Sequence, residues 1–545
     1  MGRGMKRRRV RWRLAALLAS LLIALVGGAR LYYGPIRTLE PVGRCITAGI
    51  DLNNPVPFAQ PRFSGSVLGI ASSGGGSRAA YLSAAVLREV RRAGPALMLG
   101  GLPDSNRSLL DQIDVMSSVS GGSLAASYFA LNHEPLRQAA ADSALWTDYL
   151  DKMAVNYRTR QWYGQAASNP LVWAKALFTD YNRGVLARED YDALLFKGVS
   201  LDRLPDRPAL YINAFDVANH VRFVLSKHYI DTTYSQPRGW WGKLGAPQTL
   251  LSENDLGFTR TDPASIRLAD AVYASSSFPI AYPNLPLRHC GSKILFQGGL
   301  IFLADGSLAD NSGLITLLTQ IRANLDQKAR GSSVVAISID ASVDRIDTNG
   351  TKFQQMGIEE GYASHNTVFG HALESIYGAI ALLQDLGWKL IESTDVVTDQ
   401  LNMNWPIDLT RRTGRCGPAS KTSWGNLFET GVLAMRPLVI RLGLRDVIDP
   451  DFASRYGAGL ADSAALAALL QANKIPDGIA SLSKHISRRL QSIPTDFTLS
   501  QSDRTLLDLV AFLLVHGKLA GDVAQWNEGW RTLPSGQNPP ISCQP

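Results

Sequence analysis

Ser66-Val67-Leu68-Gly69-Ile70-Ala71-Ser72-Ser73-Gly74-Gly75-Gly76-Ser77-Arg78-Ala79 is the stretch from which the fold is read. Its first six residues form a short apolar run that predicts a buried strand, and Ala79, Leu82, Val86, Leu87 and Val90 then share one face of a helix. Between the two, three glycines permit a tight backbone whose N–H groups converge on one point. The helix N-terminus adds positive potential there, so the turn suits a negative charge. Gly74, Gly76 and Ala79 also satisfy the GxGxxA pattern of a dinucleotide-binding turn. That reading needs an acidic residue at a strand end about twenty residues on, where the chain instead reads GPALMLGG. An oxyanion loop ranks above it.

Further along, IDVMSSV (Ile113 to Val119) reads as a second strand followed by the helix GGSLAASYFAL. ALYINAFDV and RFVLSKHYI read as paired strands, ASIRLADAVYASS as a helix and VVAISID as a late buried strand. The expected fold class is therefore α/β, a sheet covered by helices. After Asp340 the pattern becomes mainly helical, with HALESIYGAIALLQDL, SAALAALLQA and SDRTLLDLVAFLLVHGKL as the clearest segments. No repeat and no linker divides the body, which predicts one large domain over residues 63–520 with a tail at 521–545. Residues 34–62, rich in Pro, Gly and Asn, read as a tether.

The 545 residues carry a net charge of +8. Seven positive charges, on Arg3, Lys6, Arg7, Arg8, Arg9, Arg11 and Arg13, stand at the N-terminus without an acidic neighbour, leaving +1 for the remainder. A nearly neutral body has no electrostatic footprint for nucleic acid, and that class is set aside. The uncharged run Leu14 to Ala29 completes a segment, residues 1–33, that reads as a membrane anchor or a cleaved signal. Either would send the body across the membrane, anchored at its surface or secreted. Trp240 and Trp241 suit a bilayer interface or ordinary packing equally. Cys45, Cys290, Cys416 and Cys543 permit three connectivities for two bridges, and free thiols remain equally open. No metal-binding motif and no cofactor motif beyond the turn already weighed stands out.

Two more segments could carry chemistry. Ser118-Val119-Ser120-Gly121-Gly122-Ser123 lies between a strand and a helix, where a serine on a sharp turn needs small neighbours two residues to either side. Ser118 and Gly122 provide them, although a serine-rich helix cap would read the same way. Asp305-Gly306-Ser307-Leu308-Ala309-Asp310-Asn311-Ser312-Gly313 is a polar loop after the apolar FQGGLIFLA, and Asp305 could accept a proton from Ser120 if the fold brings them together. Taken alone, Asp305 is equally a turn residue. The combination of loop, serine turn and Asp, each at a strand end, is what points to an active site. Eight histidines are available for a conventional triad, and His289 is nearest in sequence to the Asp loop, yet none sits in a motif.

SGGGSRA, SVSGGS and DGSLADN, in that order, resemble the oxyanion, nucleophile and Asp-Gly motifs of the patatin-like phospholipases. YASSSFPIAYP (Tyr273 to Pro283) and IPTDFTLS (Ile493 to Ser500) resemble further segments of that family, so the likeness runs from about residue 64 to 515. Ser118 and Ser307 stand where the family usually has a glycine and a small Gly or Ala. The resemblance implies a three-layer sandwich around a mostly parallel sheet, with C-terminal helical elaboration. It also implies a lipid acyl hydrolase without metal or cofactor, acting on membrane lipid through a Ser120–Asp305 dyad. Gly74, Gly75 and Gly76 would be the oxyanion donors, with Arg78 bracing their loop or meeting a phosphate. Another esterase or acyltransferase of the same fold, or an anchored binding protein on a decayed fold, is the competing reading.

Overall fold

A computed structural model describes residues 20–22, 25–27, 41–46, 67–97, 108–161, 169–179, 181–217, 221–228, 253–278, 282–290, 299–324, 334–342, 345–346, 352–353, 438–460, 463–476, 478–493 and 499–531. Nine strands form one mixed sheet: β1 Val67–Ser72, β2 Ile113–Val119, β3 Ala209–Asp216, β4 Val221–Leu225, β5 Glu253–Asp255, β6 Leu285–Arg288, β7 Leu300–Asp305, β8 Val334–Asp340 and β9 Leu438–Gly443. The hydrogen-bonded order is β9-β8-β1-β2-β3-β4-β5, and β7 pairs with both β3 and β6. From β9 to β3 the pairing is parallel, whereas β4 and β7 run antiparallel to β3. Every residue of β1 and β2 is buried, as expected of parallel strands covered on both faces, the polar Ser72, Asp114, Ser117 and Ser118 included.

The helices that matter for the site are α1 Gly76–Ala93, α2 Gly121–Leu131, α3 Pro170–Phe178, α4 Arg183–Tyr191, α5 Leu268–Ser276, α6 Leu314–Asn324, α7 Leu482–Ser492 and α8 Gln501–Phe512. α1 packs against α2 and α8, and α6 lies along β1 and β2. A Cβ on Gly69 of β1 would stand 2.9 Å from both Leu317 and Ile321, so its absence lets α6 approach the sheet closely. The result is an α/β sandwich: a mixed sheet with flanking helices.

After Asp340 the described residues are mainly helical, as read from the sequence, with one longer strand that the reading did not include. LVIRLG forms β9, which extends the sheet beside β8, and Arg441 on it donates to the Asp340 carboxylate at 3.0 Å. SAALAALLQA does form a helix, Ala464–Ala472, and the last apolar segment forms α8, while HALESIYGAIALLQDL lies outside the described residues. Within the expected tether, residues 41–46 are held to the body. Val42 N donates to Pro286 O at 2.8 Å, Arg288 N donates to Val42 O at 2.9 Å, and Cys45 is bonded to Cys290. Cys416, Cys543, Trp240 and Trp241 lie outside the described residues.

The expected transmembrane or signal helix receives no support. Of the Leu14 to Ala29 run only residues 20–22 and 25–27 are described, as helix, and among the described residues no helix is long and apolar enough to cross a membrane.

Candidate active site

Ser120 ends β2 and precedes α2 with φ 49°, a left-handed conformation that a non-glycine residue adopts only at some cost. Its surroundings leave no room for side chains on the next two residues. A Cβ on Gly121 would come within 1.9 Å of Gly76 O, and one on Gly122 within 2.5 Å of Ser73 O. The small residues after the serine therefore let the first turn of α2 pack directly on the glycine-rich loop.

Asp305 ends β7, whose antiparallel pairing with β3 sets Asp305 opposite Ala214. Its Oδ2 accepts a hydrogen bond from Ser120 Oγ at 2.7 Å and its Oδ1 accepts from Ser307 N at 2.9 Å. The carboxyl is buried, and burial pushes its pKa up to about 6 against the opposing effect of the Ser307 and Ser120 hydrogen bonds. Ser307 thus contributes both its backbone N–H and its hydroxyl to the aspartate. The sequence-predicted pair, 185 residues apart, is brought into direct contact. His289 instead packs its ring edge-on to Phe258, and among the described residues no histidine bonds to Ser120 or Asp305.

The loop from Ser73 to Gly76 closes one side of this pair. Ser73 N donates to Ile339 O at 3.0 Å, and its Oγ accepts from Ala341 N at 2.9 Å, which ties the loop to the end of β8. Gly75 and Gly76 have φ of 139° and 58°, the backbone region that favours glycine. Their N–H groups have no hydrogen-bond partner among the described residues, as expected where α1 begins. Gly74 does not fit the donor role expected of it. Its N–H is bonded to Asn311 O at 2.9 Å, and a Cβ there would stand 2.3 Å from Asn311 Oδ1 and 3.3 Å from Ser120 Cβ. Its absence of a side chain serves close packing, and the open donors are those of Gly75 and Gly76. Arg78 is buried, and its Nη1 donates to Ile493 O at 3.2 Å, which ties the start of α1 to the residue after α7.

Sequence reasoning missed the polar layer beneath the serine. Ser275 of α5 accepts from Ser120 N at 2.8 Å and donates to Asn213 O at 2.6 Å. Asn213 of β3 donates through Nδ2 to Ser117 Oγ and Ser118 O, both at 2.9 Å, and accepts from Thr316 Oγ1 at 2.6 Å. Ser123 Oγ lies 3.0 Å from Ser118 Oγ and 2.9 Å from Ser275 Oγ, so the hydroxyl at the position usually held by glycine is accommodated. Asp310 accepts from Ser312 N at 3.0 Å and Gly313 N at 3.1 Å, shaping the loop that presents Asn311 to Gly74. Asn213 was signalled only by being a polar residue inside the apolar run ALYINAFDV.

A serine hydroxyl donating to a buried carboxylate beside two open N–H groups can be deprotonated, attack a carbonyl and stabilise the resulting oxyanion. Among the described residues no group of three or more His, Cys, Asp or Glu side chains could hold a metal ion. The strand after α1 ends in Val119, not in an acidic residue for a ribose, which removes the support for a dinucleotide site. No curated protein matches the chain. Residues 70–318 match the family model described as patatin-like phospholipase, a span running from β1 through the Asp305 loop into α6. The chain carries a domain of the patatin-like phospholipase family over those residues.

Proposed function

We propose that this protein is a lipid acyl hydrolase of phospholipase A or lysophospholipase type, working through an acyl-serine on Ser120 with Asp305 as the base. A patatin-like domain implies a lipid-ester hydrolase in general. The observation that carries the finer reading is the 2.7 Å contact from Ser120 Oγ to the buried Asp305 Oδ2. Ser120 Oγ attacks the ester carbonyl carbon as its proton passes to Asp305. The negative charge that develops on the carbonyl oxygen falls to the N–H groups of Gly75 and Gly76, an interaction whose loss typically costs roughly 3 to 4 kcal/mol of barrier. Collapse breaks the ester C–O bond, and the proton on Asp305 leaves with the departing alcohol. Water then adds to the acyl-serine, with Asp305 taking its proton and returning it to Ser120 as the fatty acid departs. A carboxyl at about 6 is mostly ionised at neutral pH yet basic enough to take that proton.

The disulfide between Cys45 and Cys290 supports placing the domain in an oxidising compartment, outside the cytoplasm. Release of fatty acid from phospholipid and lysophospholipid vesicles by the full chain, beside Ser120→Ala and Asp305→Ala, tests the proposal. Loss of release in both folded variants is expected. Full release by Ser120→Ala would end this assignment. A parent chain inert towards phospholipids, lysophospholipids and simple esters would favour a non-catalytic binding protein.

A further inference from the structure

Residues of α3, α4, α5 and the segment entering β6 line a half-open cavity of about 500 Å³. That volume lies within the roughly 300–1,000 Å³ range of small-molecule sites. Phe178, Val185, Leu285 and Pro286 give it an apolar wall, and Phe178, 84% exposed, makes an apolar mouth. Neither Ser120, Asp305 nor any residue of the glycine loop lines it.

Most polar side chains on the wall are committed within the protein. Tyr273 OH donates to Pro283 O at 2.5 Å, Tyr181 OH to Glu189 Oε2 at 2.7 Å and Thr179 Oγ1 to Lys175 O at 2.6 Å, while Asn182 Oδ1 accepts from Gly184 N at 2.8 Å. Arg188 differs. Its side chain is only 14% exposed, yet among the described residues its one hydrogen bond is a 3.3 Å contact from Nη1 to Asp270 Oδ1. Asp270 is already held by Arg267 through two shorter bonds, at 3.0 and 2.9 Å. The Arg188 guanidinium also rests 6.0 Å from the centre of the Tyr273 ring. Among the described residues Nε is buried without a partner, and no bond is made by Nη2. A guanidinium carries five N–H donors, and shielding them unpaired is costly.

We propose that this cavity binds a long-chain carboxylate, its head on Arg188 and its chain along Phe178, Val185, Leu285 and Pro286. A planar carboxylate matches the fork of a single guanidinium, and the apolar wall with an apolar mouth matches an alkyl chain. The site stands apart from the proposed hydrolysis, so it is tested in protein that cannot form an acyl-serine.

The experiment titrates full-length Ser120→Ala protein with the fluorescent fatty acid cis-parinaric acid below its micellar concentration. Saturable binding is expected. In the same background Val185→Trp, which fills the cavity and leaves Arg188 with Asp270, should weaken binding about tenfold or more. Arg188→Met should weaken the acid about tenfold while leaving the matching fatty alcohol unchanged, a difference that a merely structural role would not produce. If Arg188→Met does not fold, the Val185→Trp result decides. Palmitate should displace the probe, whereas phosphatidylglycerol vesicles should not. Absence of saturable binding, or binding untouched by Val185→Trp, would overturn the proposal. Displacement by phosphatidylglycerol but not by palmitate would also overturn it, making the ligand a membrane lipid headgroup.

Discussion

Replacing Asp305 by Asn should make the protein more stable while abolishing its activity. Asn has nearly the same shape. Its Oδ1 can accept from Ser307 N, and its Nδ2 can donate to Ser120 Oγ, so the bonds to Ser307 N and Ser120 survive in altered form. What disappears is the buried charge. Burial raises the carboxyl from 3.8 to about 6, and no cation is among the causes acting on it. A carboxyl that binds its proton more tightly in the folded state stabilises the fold below its unfolded value, and that contribution is lost as pH rises through about 6. At about 1.4 kcal/mol per pKa unit, the ionised aspartate costs about 3 kcal/mol at about pH 8. Denaturant unfolding of Asp305→Asn should show a gain of that order at about pH 8, shrinking below about 1 kcal/mol at about pH 4. The wild-type kcat/KM should fall on the acid side with an apparent pKa near 6, because the base must be ionised. A variant equally destabilised at both pH values, or one that keeps its activity, would refute the reasoning.

Ser275→Ala removes the hydroxyl that accepts from Ser120 N, and kcat should fall about tenfold with KM nearly unchanged, as steady-state kinetics would show. Gly121→Ala forces a Cβ to within 1.9 Å of Gly76 O and should cost about 2 kcal/mol or more in denaturant unfolding. Arg441→Met strips Asp340 of the guanidinium that, together with Arg445, outweighs burial and holds its pKa down to about 2. That pair contributes stability above the unfolded carboxylate value, lost as pH falls through about 2. The variant should lose about 3 kcal/mol near neutral pH and far less of the pair's contribution in strong acid, read by unfolding across pH.

The two strand-turn-helix units were legible because each joins a short buried strand to glycines that a positive φ or a close backbone neighbour favours. Gly75 and Gly76 followed from that logic. Gly74 did not: three consecutive glycines look alike in sequence, and only the position of Asn311 separates the one needed for packing from the two with open N–H groups. Spacing says nothing about a contact between residues 185 apart, so the Ser120–Asp305 pairing rested on motif resemblance. Asn213 was hidden inside a strand whose burial is complete, where one polar residue amid apolar ones was the available sign. β9 was missed because LVIRLG is short and interrupted by Arg441, which leaves it no helical or strand period of its own, although Val439 and Ile440 are β-branched. Four cysteines left the bridge open, and the backbone pairing of residues 41–46 with the β6 region is what brings Cys45 to Cys290.

The central claim is that Ser120 is a nucleophile activated by Asp305. Its most direct test is reaction of the full chain with a fluorophosphonate, followed by peptide mass mapping of the adduct. One phosphonyl group on the peptide containing Ser120, absent from Ser120→Ala and strongly slowed in folded Asp305→Asn, is the result expected. Labelling of a different residue, or labelling of Ser120 at an undiminished rate without the Asp305 carboxylate, would contradict the account.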